Sequence, residues 1–180
     1  MDPARGFGWD NELGEQVVDV PAFTIDARNV TNREFLTFVR AGGYDDPRWW
    51  TGEDLAWKEA NQVTHPVLWR KRADGWWQRA SFVELPLPLD WPVQVSLAEP
   101  RATYGTRGSG ERRYAWGDDA PDPKVHGNFG FSRWDPAPVG GYPEGDSAFG
   151  VADLTGNGWE WTDTVWAPLP GFARDAPWMT

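Results

Sequence analysis

Gly156-Asn157-Gly158-Trp159-Glu160-Trp161-Thr162, preceded by Ala152-Asp153-Leu154, is the stretch on which the fold of this chain turns. It packs two indoles, a carboxylate, an amide and two glycines into seven residues. Bulky aromatics call for a core, whereas Gly and Asn tolerate backbone angles that other residues avoid. A carboxylate between two tryptophans must reach water, a cation or a hydrogen-bond donor, because burying it unpaired is costly. The expectation is a compact loop that buries its aromatics and aims carbonyls and carboxylates at a common target, a metal ion being the foremost candidate.

The rest of the sequence agrees with a loop-rich scaffold. The 180 residues fit one domain, 1–180, with room for a substantial core. Fourteen Trp, nine Phe and four Tyr accompany 20 Gly and 16 Pro, which favours short strands and ordered loops over long helices. So many aromatics also argue against disorder. A net charge of −10 argues against a nucleic-acid partner, and the basic runs Arg70-Lys71-Arg72 and Arg112-Arg113 read as solvated turns or strand edges. Without cysteine there is no disulfide framework, thiolate metal site or cysteine nucleophile. No apolar run is long enough for a bilayer and no signal peptide is visible, so the expected location is cytoplasmic.

Local patterns place a few elements. Gln16 to Ile25 alternates like a strand. Thr31 or Asn32 caps a helix from about Asn32 to Ala41, with Glu34 in the first turn, an apolar face of Phe35, Phe38 and Val39, and a stop at Gly42-Gly43. Thr51-Gly52-Glu53-Asp54 opens a second helix running toward Asn61. Pro66 to Phe82 reads as a hairpin turning at Asp74-Gly75. Residues 85–92 are extended because of their prolines. Val93 to Ser96 form a short strand, and Ser96 caps a helix starting at Leu97 that Pro100 soon ends. Gly105 to Gly150 is a long loop pinned by Tyr114, Trp116, Phe129, Phe131, Trp134 and Phe149.

Several blocks then carry a family likeness. Val17 to Phe38, Trp91 to Leu97, Tyr114-Ala115-Trp116-Gly117 and Gly156 to Thr162 resemble, in order and spacing, the formylglycine-generating-enzyme or sulfatase-modifying-factor domain. Trp9-Asp10-Asn11-Glu12, Gly42-Gly43-Tyr44, Trp49-Trp50, His65-Pro66-Val67, Asn128-Phe129, Arg133-Trp134-Asp135 and Pro170-Gly171-Phe172 look like its ergothioneine-type sulfoxide synthase branch. The resemblance implies an α+β, C-type-lectin-like fold, low in regular structure, with long ordered loops around a small antiparallel sheet. It further implies a helical partner domain that carries iron(II), the pair joining a thiol to a histidine betaine, trimethylhistidine, with oxygen.

Departures from the family pattern matter as much. A segment near residues 100–104 and the usual C-terminal elements have no counterpart here. Where that branch has tyrosines, one a proposed proton donor, this chain has Val165-Trp166-Ala167-Pro168-Leu169-Pro170. The domain is therefore expected to be an incomplete catalyst on its own. Only His65 and His126 could hold iron, in separate segments without helical spacing, so iron is expected from another domain or chain. Formylglycine formation by a thiol pair is disfavoured by the lack of Cys. By resemblance, Asp153, Gly156, Gly158 and Glu160 match one calcium site, and Asn128 and Phe129 match part of a second. Without an ion, Asn157 and Glu160 instead serve a loop hydrogen-bond network. Trp159 and Trp161 read first as core. Trp166, with Trp161 second, is the candidate substrate contact, since indole faces attract quaternary ammonium groups. The competing expectation is a non-catalytic lectin-like binding module for a ligand or protein.

Overall fold

A computed structural model describes residues 19, 22–50, 52–99 and 114–161. Ile25–Asp163 form one compact unit. Every helix and strand among the described residues belongs to the Ile25–Asp163 unit.

Helix α1 spans Asn32–Arg40 and begins as its sequence dictates. The Thr31 hydroxyl accepts from the Glu34 amide at 3.3 Å, and the Glu34 carboxylate accepts from the Thr31 amide at 2.8 Å. This reciprocal box satisfies two otherwise orphaned donors, and it holds the Glu34 carboxyl below its ordinary range. The helix stops at a Schellman closure. Gly43 N–H donates to the Phe38 carbonyl and Gly42 N–H to that of Val39, with Gly42 at φ +76°. Helix α2 covers Gly52–Ala60; Thr51, its expected cap, lies outside the described residues.

Strands β1 (Trp69–Arg72), β2 (Gly75–Arg79) and β3 (Glu84–Pro86) form an antiparallel sheet in the order β1-β2-β3. Trp69 faces Gln78 and Arg72 faces Gly75, so the turn residues are Ala73 and Asp74, one position earlier than expected. Pro86, which has no amide hydrogen, ends the last strand opposite Trp77.

Leu36 of α1, Trp69 of β1 and Leu87 after β3 make the core, with Phe35, Val39, Trp76, Leu89 and Val93 packed around them. The α1 face is thus centred on Leu36, and the expected Phe35 and Val39 flank it. Asn32 is wholly buried. Its side-chain amide donates to Gln78 Oε1 and to the Pro88 carbonyl, both at 2.8 Å, tying the helix start to β2 and to the chain beyond β3.

Of the expected strand Gln16 to Ile25, the described end, Ala22 to Ile25, lies in no strand, and all the rest but Asp19 lies outside the described residues. Val93 to Ser96 lie in no strand either, and Leu97 opens a turn and not a helix. Residues 93 to 96 spend their hydrogen bonds elsewhere. Val93 N–H goes to the Val30 carbonyl, and Ser96 closes a capping turn through its amide and hydroxyl on Glu99. From Tyr114 onward the described chain is loop and turn apart from one 3₁₀ turn, Pro143–Gly145. Rings pin part of it. Trp116 stacks on Tyr114, His126 and Phe129 with interplanar angles of 10°, 8° and 6°. Phe131, Trp134 and Phe149 stay exposed.

Candidate functional site

The Ala152–Trp161 loop is held by its amide. Asn157 adopts φ +62° between Gly156 at φ +85° and Gly158. Asn157 Oδ1 accepts from the Ala137 amide at 2.7 Å, its Nδ2 donates to the Ala137 carbonyl at 3.3 Å, and its own amide donates to the Asn128 carbonyl at 2.9 Å. Gly156 passes so close to Asn128 that a Cβ there would lie 2.6 Å from the Asn128 carbonyl oxygen. That leaves glycine as the residue that fits.

Turning the amide inward turns the indoles outward, which corrects the expectation that Trp159 and Trp161 are core. Trp159 is 102% exposed and Trp161 47%. Trp161 is nonetheless fixed, because its indole N–H donates to the Val95 carbonyl at 3.0 Å. Trp166 lies outside the described residues.

The expected calcium ligands fare differently from one another. Asp153 is buried at φ +57°, and its Oδ2 accepts from the Gly140 amide at 2.8 Å. Burial pushes its carboxyl up; the Gly140 amide, Arg28 and the Asn157 amide pull it back, while Asp146 adds to the rise. The Gly156 carbonyl accepts from Gly158 N–H at 2.8 Å, and Gly158 itself is exposed. The Glu160 carboxylate is exposed and accepts from Asn29 at 3.0 Å. In this first set, Asp153, Gly156 and Glu160 each give an oxygen to a donor of the chain itself, and the two carboxylates serve different partners. The second set keeps a free ligand: Asn128 Oδ1 is buried without a partner, as is Asp146 Oδ1. The Phe129 carbonyl accepts from the Ser132 hydroxyl. Of the expected ligand oxygens, Asn128 Oδ1 is the buried side-chain oxygen left without a hydrogen-bond donor. Among the described residues, no three His, Asp or Glu side chains gather as a metal-holding group.

The histidines serve different aromatic contacts. His65 packs edge-on against Trp76 and shares a hydrogen bond with Thr64, and burial pushes its imidazole down. His126 stacks on Trp116 and accepts from the Asp122 amide.

Two open clefts flank these elements. One, of about 540 Å³, is lined by Arg28, Asn29, Thr31, Glu34, Asp90 and Val139, and Asn29 links it to Glu160. The other, of about 570 Å³, is lined by Phe82, Trp134, Gln94, Glu84 and Asp135 among others. Phe82 and Trp134 meet edge to face at 5.7 Å, and the Ser81 amide holds Asp135 at 2.7 Å. Sequence reasoning took Arg28 and Asn29 only as part of the Val17 to Phe38 block and gave them no role; their place beside the loop supplies one.

Comparison with known proteins supplies the family. The model of the sulfatase-modifying factor enzyme 1-like domain matches residues 2–176. The chain belongs to this family. It is 38% identical, over 92% of its length, to hercynine oxygenase of Mycolicibacterium thermoresistibile, and 36% identical over 91% to that of Mycolicibacterium smegmatis. These stretches cover 41% and 42% of the relatives, so the chain spans about two-fifths of their length. It is 26% identical to formylglycine-generating enzyme of Mycobacterium tuberculosis, over 89% of this chain and 69% of that one. Among the described residues, no helix is long and apolar enough to cross a membrane.

Proposed function

We propose that this chain is the substrate-pocket domain of a non-haem iron(II), oxygen-dependent sulfoxide synthase that joins a thiol to trimethylhistidine, built on a C-type-lectin-like scaffold. The observation that carries this is identity of 36–38% to hercynine oxygenases across more than nine-tenths of the chain. The geometry of the Ala152–Trp161 loop supports it, because the loop is anchored through the Asn157 side-chain amide and holds the part-exposed Trp161 indole in place through its N–H. Iron(II), held by a helical domain or chain, would supply oxygen activation. The residues here would bind and orient. Trp161, fixed through its N–H, and Trp166 would face the betaine, an indole face contributing about 0.5–2 kcal/mol toward a quaternary ammonium. If calcium binds, Asn128 Oδ1 is where it belongs.

The test is sulfoxide formation from trimethylhistidine and a cysteine-type thiol with iron(II) and oxygen, followed by mass spectrometry. The chain alone is expected to give none, and the chain supplied with the remaining portion of the M. smegmatis hercynine oxygenase is expected to give product. Turnover by the chain alone would overturn its incompleteness. Failure of the supplemented mixture, with no binding of trimethylhistidine by calorimetry, would overturn the function. A second proposal, a non-catalytic binding module, draws on the exposed aromatic wall of Phe82 and Trp134. It requires ligand binding that is independent of iron and lost in Trp134→Ala.

A further inference from the structure

We infer that the loop from Ala152 to Glu160 is closed by the segment Ala27-Arg28-Asn29 in place of a divalent cation, and that Arg28 supplies the positive charge facing Asp153. Two of three consecutive residues reach the loop itself, and the third reaches the residue that binds its Asp153. The Ala27 carbonyl accepts from the Ala152 amide at 2.9 Å. The Asn29 side-chain amide donates to the Glu160 carboxylate at 3.0 Å. The Arg28 side chain lies over Gly140, the residue whose amide binds Asp153.

The space above Gly140 is what fixes this arrangement. A Cβ on Gly140 would sit 3.3 Å from Arg28 Nε and 3.5 Å from its Cζ, and the backbone there stands at φ +68°. Any ligating side chain at 140 would be strained by that backbone and crowded by the guanidinium. Glycine at 140 and arginine at 28 are therefore one device: the missing side chain makes room for a guanidinium where a metal ion would otherwise supply the charge. The charged groups acting on Asp153 are Arg28, which favours its carboxylate, and Asp146, which opposes it. An organic cation suits a partly exposed position, because it needs no complete shell of six to eight oxygens.

The experiment is thermal unfolding of the whole chain, with and without calcium, for the parent, Arg28→Gln, Asp153→Asn and the double variant. Arg28→Gln is expected to lower Tm by about 2 °C in the parent background and to change nothing in Asp153→Asn, the coupling shrinking at high salt. The calcium response, of whatever size, is expected to be the same in the parent and in Asp153→Asn. An equal effect of Arg28→Gln in both backgrounds would overturn the charge pairing. A calcium-induced rise in Tm that disappears in Asp153→Asn or Glu160→Gln would overturn closure without a metal ion.

Discussion

Asn157 and Trp159, two residues apart, exchange the roles their chemistry suggests. Hydrophobicity alone sends the indole inside and the amide out. Positive φ at Asp153, Gly156 and Asn157 bends the loop so that the amide meets Ala137 and Asn128, and the indole faces solvent. The sequence shows that an unusual backbone is needed, but not which side of the bend is buried, because that depends on contacts 20 or more residues away. Asn157→Ala strands the buried Ala137 amide and is expected to destabilise the fold by about 2–3 kcal/mol in urea unfolding. Asp153 gives a pH signature. Its folded-state pKa is raised by burial, so the folded form binds the proton more tightly than the unfolded chain. Its contribution is fully present below the ordinary aspartate range and is lost as pH rises through the raised value. Asp153→Asn is expected to flatten that part of the stability–pH curve; an unchanged slope would locate the effect elsewhere.

At the scale of elements, what was legible had local causes. The Thr31–Glu34 box and the Gly42-Gly43 stop fix α1 within one residue of its expected end, and the hairpin is found, shorter than the expected Pro66 to Phe82, with Val67 and Phe82 outside its strands and the turn one position earlier. Both depend on neighbours within a few positions. Val93 to Ser96 fail as a strand because Val30 and Glu99 take their hydrogen bonds, and no alternation pattern contains that information. Thr31→Ala removes the cap and is expected to cost about 1 kcal/mol by denaturant unfolding. Thr31→Ser, which keeps the hydroxyl, is expected to recover most of it. Equal losses in both variants would mean that the threonine acts by packing.

Across the Ile25–Asp163 unit, the aromatic content divides between two tasks. Trp69, Trp76 and the Trp116 stack fill the interior or pin the loops, which composition alone anticipates. Trp49, Phe82, Phe131, Trp134 and Trp159 stay exposed, with Phe82, Phe131 and Trp134 in mutual ring contact around Trp134. A domain that works as one wall of a shared pocket would keep such surface. The most direct test is the rate of sulfoxide formation by Trp161→Ala joined to an iron-bearing portion, with its melting temperature measured alongside. The rate is expected to fall by about tenfold or more while Tm stays within about 1 °C of the parent. A parental rate, or a fall in Tm of the size that core tryptophans produce, would contradict a loop anchored by its amide that displays its indoles.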